Sequence, residues 1–182
     1  MSTKQGETMA YKVGERVIYG NYGVCEITKI EERPDFIDPS TITTYYTLKS
    51  LNDRMGKAMI PANRMDQVRY ALTRKEAREL IDNVPAIEID DFFDEGRNVT
   101  EDHFAALLKT GELENLITVI KSMHVRIAKQ TEMGKNPSAA YVRLEKDAKA
   151  KLYTELAFAL NIEESDVEDY ITKVLEGNSP QQ

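Results

Sequence analysis

Residues 11–30 read YKVGERVIYGNYGVCEITKI and contain two short runs of β-branched and aromatic residues on either side of a glycine-rich turn. The two runs, residues 15–19 and 24–30, have the composition of β-strands. In the second run Cys25 and Ile27 alternate with polar residues, which is the period of two expected of a strand with one buried face. The segment therefore predicts two neighbouring strands with Cys25 in a hydrophobic core.

The β pattern continues to about residue 70. Two further runs, Tyr45–Leu51 and Lys57–Ile60, follow stretches rich in turn-forming residues. In the last run the alternation places Ile60 on the inward face and Met59 on the outward face. Four or five short strands in one segment predict a small SH3- or Tudor-like β-barrel.

After residue 70 the apolar residues recur at helical spacing. Thr73 and Glu76 have the spacing of a capping box, in which each side chain bonds a backbone amide at the helix start. Pro85 ends this helix near Val84, because a proline disfavours helical geometry in the residue before it. Four more helices are predicted, with starts near Thr100, Leu113, Ser138 and Ser165 and glycine stops at Gly111, Gly134 and Gly177. Ser165 and Glu168 are spaced as a second capping box.

These patterns predict an α+β protein of two domains, for which 182 residues are sufficient. The first domain is the barrel, residues 10–70. The second is an all-α domain of about five helices, residues 71–177. Residues 1–9 are predicted to be a flexible N-terminus and residues 178–182 a tail.

The charges are segregated along the chain, whose formal net charge is −7. Residues 1–80 hold 13 Lys/Arg and 11 Asp/Glu, whereas residues 81–182 hold 11 and 20. Within the acidic half, residues 121–151 form a basic island with eight basic and three acidic side chains. This distribution argues against a nucleic-acid binder with a basic field over its whole surface, and it leaves the island as a candidate contact.

No group of residues has the pattern of a catalytic or metal centre. The two histidines, His103 and His124, are not spaced as a pair of helical metal ligands, and His124 is predicted on an apolar helix stripe. The acidic segment 90–95 lacks the spacing and the glycine of a calcium loop, and a connector with Phe92 and Phe93 tucked into the domain is the preferred interpretation. We expect no enzyme activity, no cofactor and no metal.

The sequence also carries expectations about location. No run approaches the ~18 apolar residues that a membrane span needs. The first residues, MSTKQGETMAYKVGE, lack the apolar stretch of a secretory signal. The single cysteine, Cys25, excludes an intramolecular disulfide. We expect a cytoplasmic monomer that does not contact a membrane.

Two blocks of the first domain resemble a known family. Residues 11–24, YKVGERVIYGNYGV, are similar to the opening of the CarD/CdnL bacterial transcription regulators, and residues 57–63, KAMIPAN, are similar to the family's second block. The polymerase-interacting domain of transcription-repair coupling factors is the same module. The resemblance implies a barrel that binds the β subunit of RNA polymerase. On the matching positions it implies a partner contact formed by Arg33, Met59, Ile60 and Pro61.

The same resemblance implies that the helical domain contacts promoter DNA, where a family tryptophan wedges into the minor groove. This chain has no tryptophan, and the family's Asn-Trp pair corresponds to Asn98-Val99. Glu101 and Asp102 follow, and their charges would repel phosphate. We therefore expect only a weak, non-specific DNA contact. Besides Asn98 and Val99, its candidate residues are Lys121, Arg126, Lys129, Arg143, Lys146 and Lys149.

Two functions stay open from the sequence. The first is a transcription regulator that binds the polymerase β subunit and modulates initiation, with weak DNA contact. The second is a polymerase-bound adaptor whose acidic helical domain contacts another protein and not DNA. The basic island separates them. One exposed basic face favours DNA, and pairing with Glu145 and Asp147 inside the domain favours the adaptor.

Overall fold

A computed structural model describes residues 11–51, 55–96 and 98–177 of the chain. The predicted flexible N-terminus, residues 1–9, and the predicted tail, residues 178–182, lie outside the described residues. The chain divides into two compact units, one up to Ala71 and the other from Leu72 onward.

The first unit is built on a five-stranded antiparallel sheet with the strand order β4-β3-β2-β1-β5. Its strands are β1 (Arg16–Tyr19), β2 (Gly23–Pro34), β3 (Ile42–Ser50), β4 (Lys57–Pro61) and β5 (Val68–Tyr70). Short 3₁₀ helices, Gly20–Tyr22 and Ala62–Gln67, join β1 to β2 and β4 to β5. The described strands leave β4 and β5 as edges, so closure of this sheet into a barrel stays a prediction.

The strand register sets the core of this unit. Val17 on β1 lies opposite Cys25 on β2, and Ile27 on β2 lies opposite Leu48 on β3. The side chains of Cys25 and Ile27 are fully buried, which confirms the alternation predicted for this strand. Burial raises the pKa of the Cys25 thiol to about 11, as expected of a cysteine that serves as a core hydrophobe.

The second unit is helical. Its α-helices are α1 (Arg74–Asn83), α2 (Val99–Thr110), α3 (Leu113–Glu132), α4 (Ala139–Leu160) and α5 (Val167–Leu175), with 3₁₀ turns at Val84–Ala86 and Glu164–Asp166. They enclose a core to which each helix contributes. The five starts lie at or within two residues of the predicted ones. None of the described helices is long and apolar enough to cross a membrane.

The helix caps agree with the sequence in one case and differ in two. The capping box between Thr73 and Glu76 is present in both directions. Thr100 is not a cap, because α2 begins one residue earlier and the Thr100 hydroxyl is buried against the backbone of Asp94. Ser165 lies in a 3₁₀ turn before α5, so its side chain is not positioned to bond the amides of that helix.

Candidate protein-interaction surfaces

The first candidate surface lies on the sheet, where Arg33 of β2 and Met59 of β4 meet. Both side chains lie on the face that carries Thr47, because Thr47 pairs with Met59 on one side and with Lys29 on the other. An Arg33 Nη1 donates to the Met59 sulfur at 3.7 Å. Met59 is exposed, as its outward position predicted. The structure therefore brings the two predicted partner contacts together.

The next two predicted contacts, Ile60 and Pro61, have different surroundings. The Ile60 side chain is buried in the sheet core, so this residue can meet a partner only through its main chain. Pro61 is half-buried and ends β4. Since β4 is an edge strand, its outer main chain is available for pairing with a strand of another protein.

Beside Arg33, the loop Asp35–Thr41 between β2 and β3 is held by its own carboxylates. The Asp35 carboxylate accepts hydrogen bonds from the Ile37 amide (2.8 Å) and the Asp38 amide (3.3 Å). These bonds, with that of the Tyr45 hydroxyl, hold the pKa of Asp35 below its usual range. The Asp38 carboxylate in turn accepts from Ser40 and Thr41. The loop is thus ordered although it has no regular structure.

This hairpin loop presents two large apolar side chains to solvent, Phe36 and Ile37, of which Ile37 is 92% exposed. Phe36 packs edge-on against the ring of Tyr45, at 5.1 Å between centroids, and Tyr45 is itself buried. The Arg33 guanidinium lies 4.6 Å from the centre of the Phe36 ring. We call Arg33, Phe36, Ile37 and Met59 the sheet surface.

Phe36 and Ile37 were not predicted as contact residues from the sequence. The available signal was an apolar pair inside a turn segment, between Pro34 and Asp38. A turn of this kind ordinarily places its side chains in water, and a large apolar pair there indicates contact with another molecule.

In the second unit the six basic candidates are not equivalent. Three of them bind atoms of their own unit. Lys121 donates to the carbonyls of Val84 and Ile87, and Lys149 lies 3.3 Å from the carboxylates of both Glu145 and Glu168. Arg126 is the third. The remaining three, Lys129, Arg143 and Lys146, are exposed.

Arg126 holds the acidic connector, which we define as residues 87–98, against the helices. Its guanidinium donates to the carbonyl of Phe92 at 2.6 Å and lies 5.3 Å from the centre of the Phe104 ring. One turn earlier on α3, the Ser122 hydroxyl accepts from the Asp90 amide at 2.8 Å. The connector is therefore attached to α3 by its main chain.

The connector is also attached to α2. His103 Nε2 lies 2.6 Å from a carboxylate oxygen of Asp90, and the His103 ring stacks on Phe92 with 4.3 Å between ring centres. His103 thus has a structural role. The prediction that both phenylalanines are tucked into the domain was wrong, because Phe92 is 38% and Phe93 65% exposed. Polar groups of the connector and the stacked Phe92 ring contact the helices, whereas Phe93 is largely exposed.

Asn98 and Val99 lie where the connector enters α2. Asn98 has a left-handed backbone with φ of 67°, a conformation that asparagine tolerates, and it is the residue before the helix. Val99 is 40% exposed. Gly96 packs on Val99 so closely that an added Cβ would lie 2.9 Å from its Cγ2 atom. Val99, which the resemblance predicted at the wedge position, is therefore a small, partly covered side chain.

His124 also differs from its prediction. It was expected on the apolar stripe of α3, but its side chain is exposed and its Nδ1 atom lies 3.5 Å from Glu145. With Lys149, Tyr153 and Glu168 it lines an open groove between α3, α4 and α5. Over the described part of the chain, no three His, Cys, Asp or Glu residues are grouped as a metal site would need.

Comparison with known proteins bears on the first unit. Residues 11–72, about a third of the chain, match the family model of the CarD-like/TRCF RID domain. No curated protein matches the chain. This is the family indicated by residues 11–24 and 57–63, so that identification is confirmed over the matched residues. RID domains are RNA polymerase-interacting domains and not catalytic ones. The N-terminal unit of this chain therefore carries a match to the CarD-like/TRCF RID domain family.

Proposed function

We propose that the chain is a transcription regulator that binds the β subunit of RNA polymerase through its N-terminal unit and modulates initiation. The observation that carries the proposal is the sheet surface, because its exposed apolar groups lie within the residues that match the RID domain and beside Arg33 and Met59, for which the resemblance predicts a partner contact. A large exposed apolar group on an ordered loop is typical of a protein contact.

The parts of this surface have complementary roles in the proposed contact. Arginine and aromatic residues often dominate the binding energy of an interface, and methionine adapts to irregular partner surfaces. The loop should lose little conformational entropy on binding, since hydrogen bonds of Asp35 and Tyr45 already hold it. The β4 edge, with Ile60 and Pro61, adds main-chain groups that can extend a partner's sheet.

The test is the affinity of the full chain for the purified β subunit, measured by calorimetry. Arg33→Glu combined with Met59→Ala should weaken binding by ~2 kcal/mol or more, about 30-fold, as truncation of interface anchors does. Arg69→Glu is the matched control, because it makes the same charge change on β5, the opposite edge. Unchanged β binding by the double variant would remove the sheet surface as the contact.

A second candidate function, weak contact with DNA, is favoured by three of the six candidate cations of the helical unit, which are exposed. Lys129, Arg143 and Lys146 can neutralise phosphates without reading sequence. Lys121, Arg126 and Lys149 contribute less, since each already binds a group of its own unit. Val99 offers too little apolar surface to stabilise an unstacked base step.

Filter binding of the full chain to duplex DNA at several salt concentrations tests this second function. We expect weak binding that falls steeply with salt and is abolished by changing Lys129, Arg143 and Lys146 to Glu. Val99→Ala should leave it unchanged. Tight binding at high salt, or a large loss from Val99→Ala alone, would show that a wedge contact operates at this position.

A further inference from the structure

We infer that the connector of the second unit is a docking site for a basic segment of a partner protein, one that carries an apolar side chain between lysines or arginines. The site consists of the side chains of Phe92, Phe93 and Val99 and of an acidic rim around them. We call it the connector surface. It is separate from the sheet surface and does not depend on polymerase binding by the first unit.

The first argument is the exposure of the apolar groups. Phe93 is 65%, Phe92 38% and Val99 40% exposed, within eight consecutive residues. Burial of a large apolar side chain is worth ~1.5–3 kcal/mol, so a chain that leaves two phenylalanines exposed gives up stability in the free protein. A partner that covers them recovers that free energy.

The second argument is that these groups lie together. Phe92 stacks on His103, which is one helical turn after Val99, so that both face the same side of α2. Gly96 packs on Val99 from the connector side. The loop therefore brings Phe92 near Val99 at the start of α2, and the exposed Phe93 is the next residue of the chain.

The third argument is that the main chain under the surface is fixed. The Phe92 carbonyl accepts from Arg126, and the Asp90 amide donates to Ser122. The Asp94 amide donates to the buried Thr100 hydroxyl at 3.0 Å. A partner therefore meets a preordered backbone and immobilises only phenylalanine side chains, which have few rotamers to lose.

Charge selects the partner. The exposed acidic residues are Glu88, Asp91, Asp94 and Glu95 of the connector and Asp102 of α2, while Arg97 of the connector lies outside the described residues. Arg126 reaches the connector from α3. Its side chain is half-buried, and its guanidinium donates to the carbonyls of Asp90 and Phe92. Such a rim repels DNA phosphates and anionic lipid, and it attracts lysine and arginine. Acidic groups around an apolar centre thus fit a basic protein segment.

The test uses labelled 12-residue peptides and the full chain, with binding followed by fluorescence anisotropy. A peptide of leucine and lysine should bind, and peptides of leucine and glutamate or of serine and lysine should bind at least tenfold more weakly. Equal binding of the serine–lysine peptide would show attraction by charge alone and would overturn the site.

Variants locate the binding. Phe93→Ser should weaken leucine–lysine binding about tenfold, because this exposed side chain supplies most of the apolar contact, while helix content stays unchanged. Ile37→Ser, which removes an even more exposed apolar group from the first unit, is the matched control and should leave peptide binding intact. Peptide binding that survives Phe93→Ser combined with Asp91→Lys overturns the proposal. Loss of duplex DNA binding in that variant also overturns it, because the surface would then contact DNA and not a basic protein segment. Neither Phe93→Ser nor Asp91→Lys should affect β-subunit affinity, which separates this inference from the polymerase proposal.

Discussion

The hairpin loop of the first unit and the connector of the second both present phenylalanine from a segment without regular structure, but they are held by different means. The hairpin loop is held by carboxylates from within itself, those of Asp35 and Asp38. The connector is held by side chains from two helices, among them His103 and Arg126, that lie 13 and 36 positions from Asp90. The hairpin loop is ordered by local bonds, whereas the connector has local bonds and also depends on long-range contacts that only the finished fold supplies.

This difference determines how each surface can be disturbed. A change in the hairpin loop should affect the loop alone, because its bonds are short-range. A change of Arg126 on α3 should release the connector and also weaken the helical core, because this side chain bonds the connector and contacts the ring of Phe104. The predictions below separate these two outcomes.

The largest effect is expected from Arg126→Ala. It removes a charged donor from the carbonyl of Phe92 and a cation from the ring of Phe104, a loss of ~2 kcal/mol in the unfolding free energy of the helical unit. Arg143→Ala, an exposed position on α4, should cost less than ~0.5 kcal/mol. Urea unfolding followed by circular dichroism measures both. Equal stability of the two variants would mean that the connector is not fixed by Arg126.

A smaller and strictly local effect is expected from Asp35→Ala. The amides of Ile37 and Asp38 lose their acceptor, and they should exchange with solvent about tenfold faster. Exchange in the helices of the second unit should not change. Asp66→Ala, an exposed position outside the loop, is the control, and acceleration of exchange throughout the chain would contradict a locally held loop.

The smallest effect is expected from acid. Burial alone would raise the pKa of Asp90, but the hydrogen bonds of this carboxylate with His103 and the Phe92 amide outweigh burial and lower the pKa. The pKa of Asp35 is also lowered, mainly by the hydrogen bond from the Ile37 amide. A lowered pKa stabilises the fold fully above the unfolded value of ~4 and loses that contribution as the pH falls through the folded value. The amide shift of Ile37, which is bonded to the Asp35 carboxylate, should therefore be constant from pH 7 to 5 and change below about 4. A transition near pH 6 would contradict this assignment.

Sequence patterns predicted the elements because their causes are local. The alternation at Cys25 and Ile27 reports a buried face, and Thr73 with Glu76 fixes a helix start through bonds within one turn. The family blocks also lie in continuous segments, which is why the RID domain could be identified.

The interaction surfaces were only partly predictable, because they depend on contacts between distant residues. Met59 was placed outward by its strand period, yet its contact with Arg33 follows from the pairing of three strands. Arg126 looked like a free cation for phosphate, whereas the fold directs it to the connector. The exposure of Phe93 also could not be predicted from the sequence, because it depends on which groups of the connector contact the helices.

Hydrogen exchange of the full chain, with and without the purified β subunit, tests directly whether the sheet surface is the polymerase contact. We expect the β subunit to protect residues 33–37 and 57–61 from exchange and to leave the exchange of β1 and β5 unchanged. Protection confined to the β5 edge or to the helical unit, with none at Arg33 through Ile37, would contradict it.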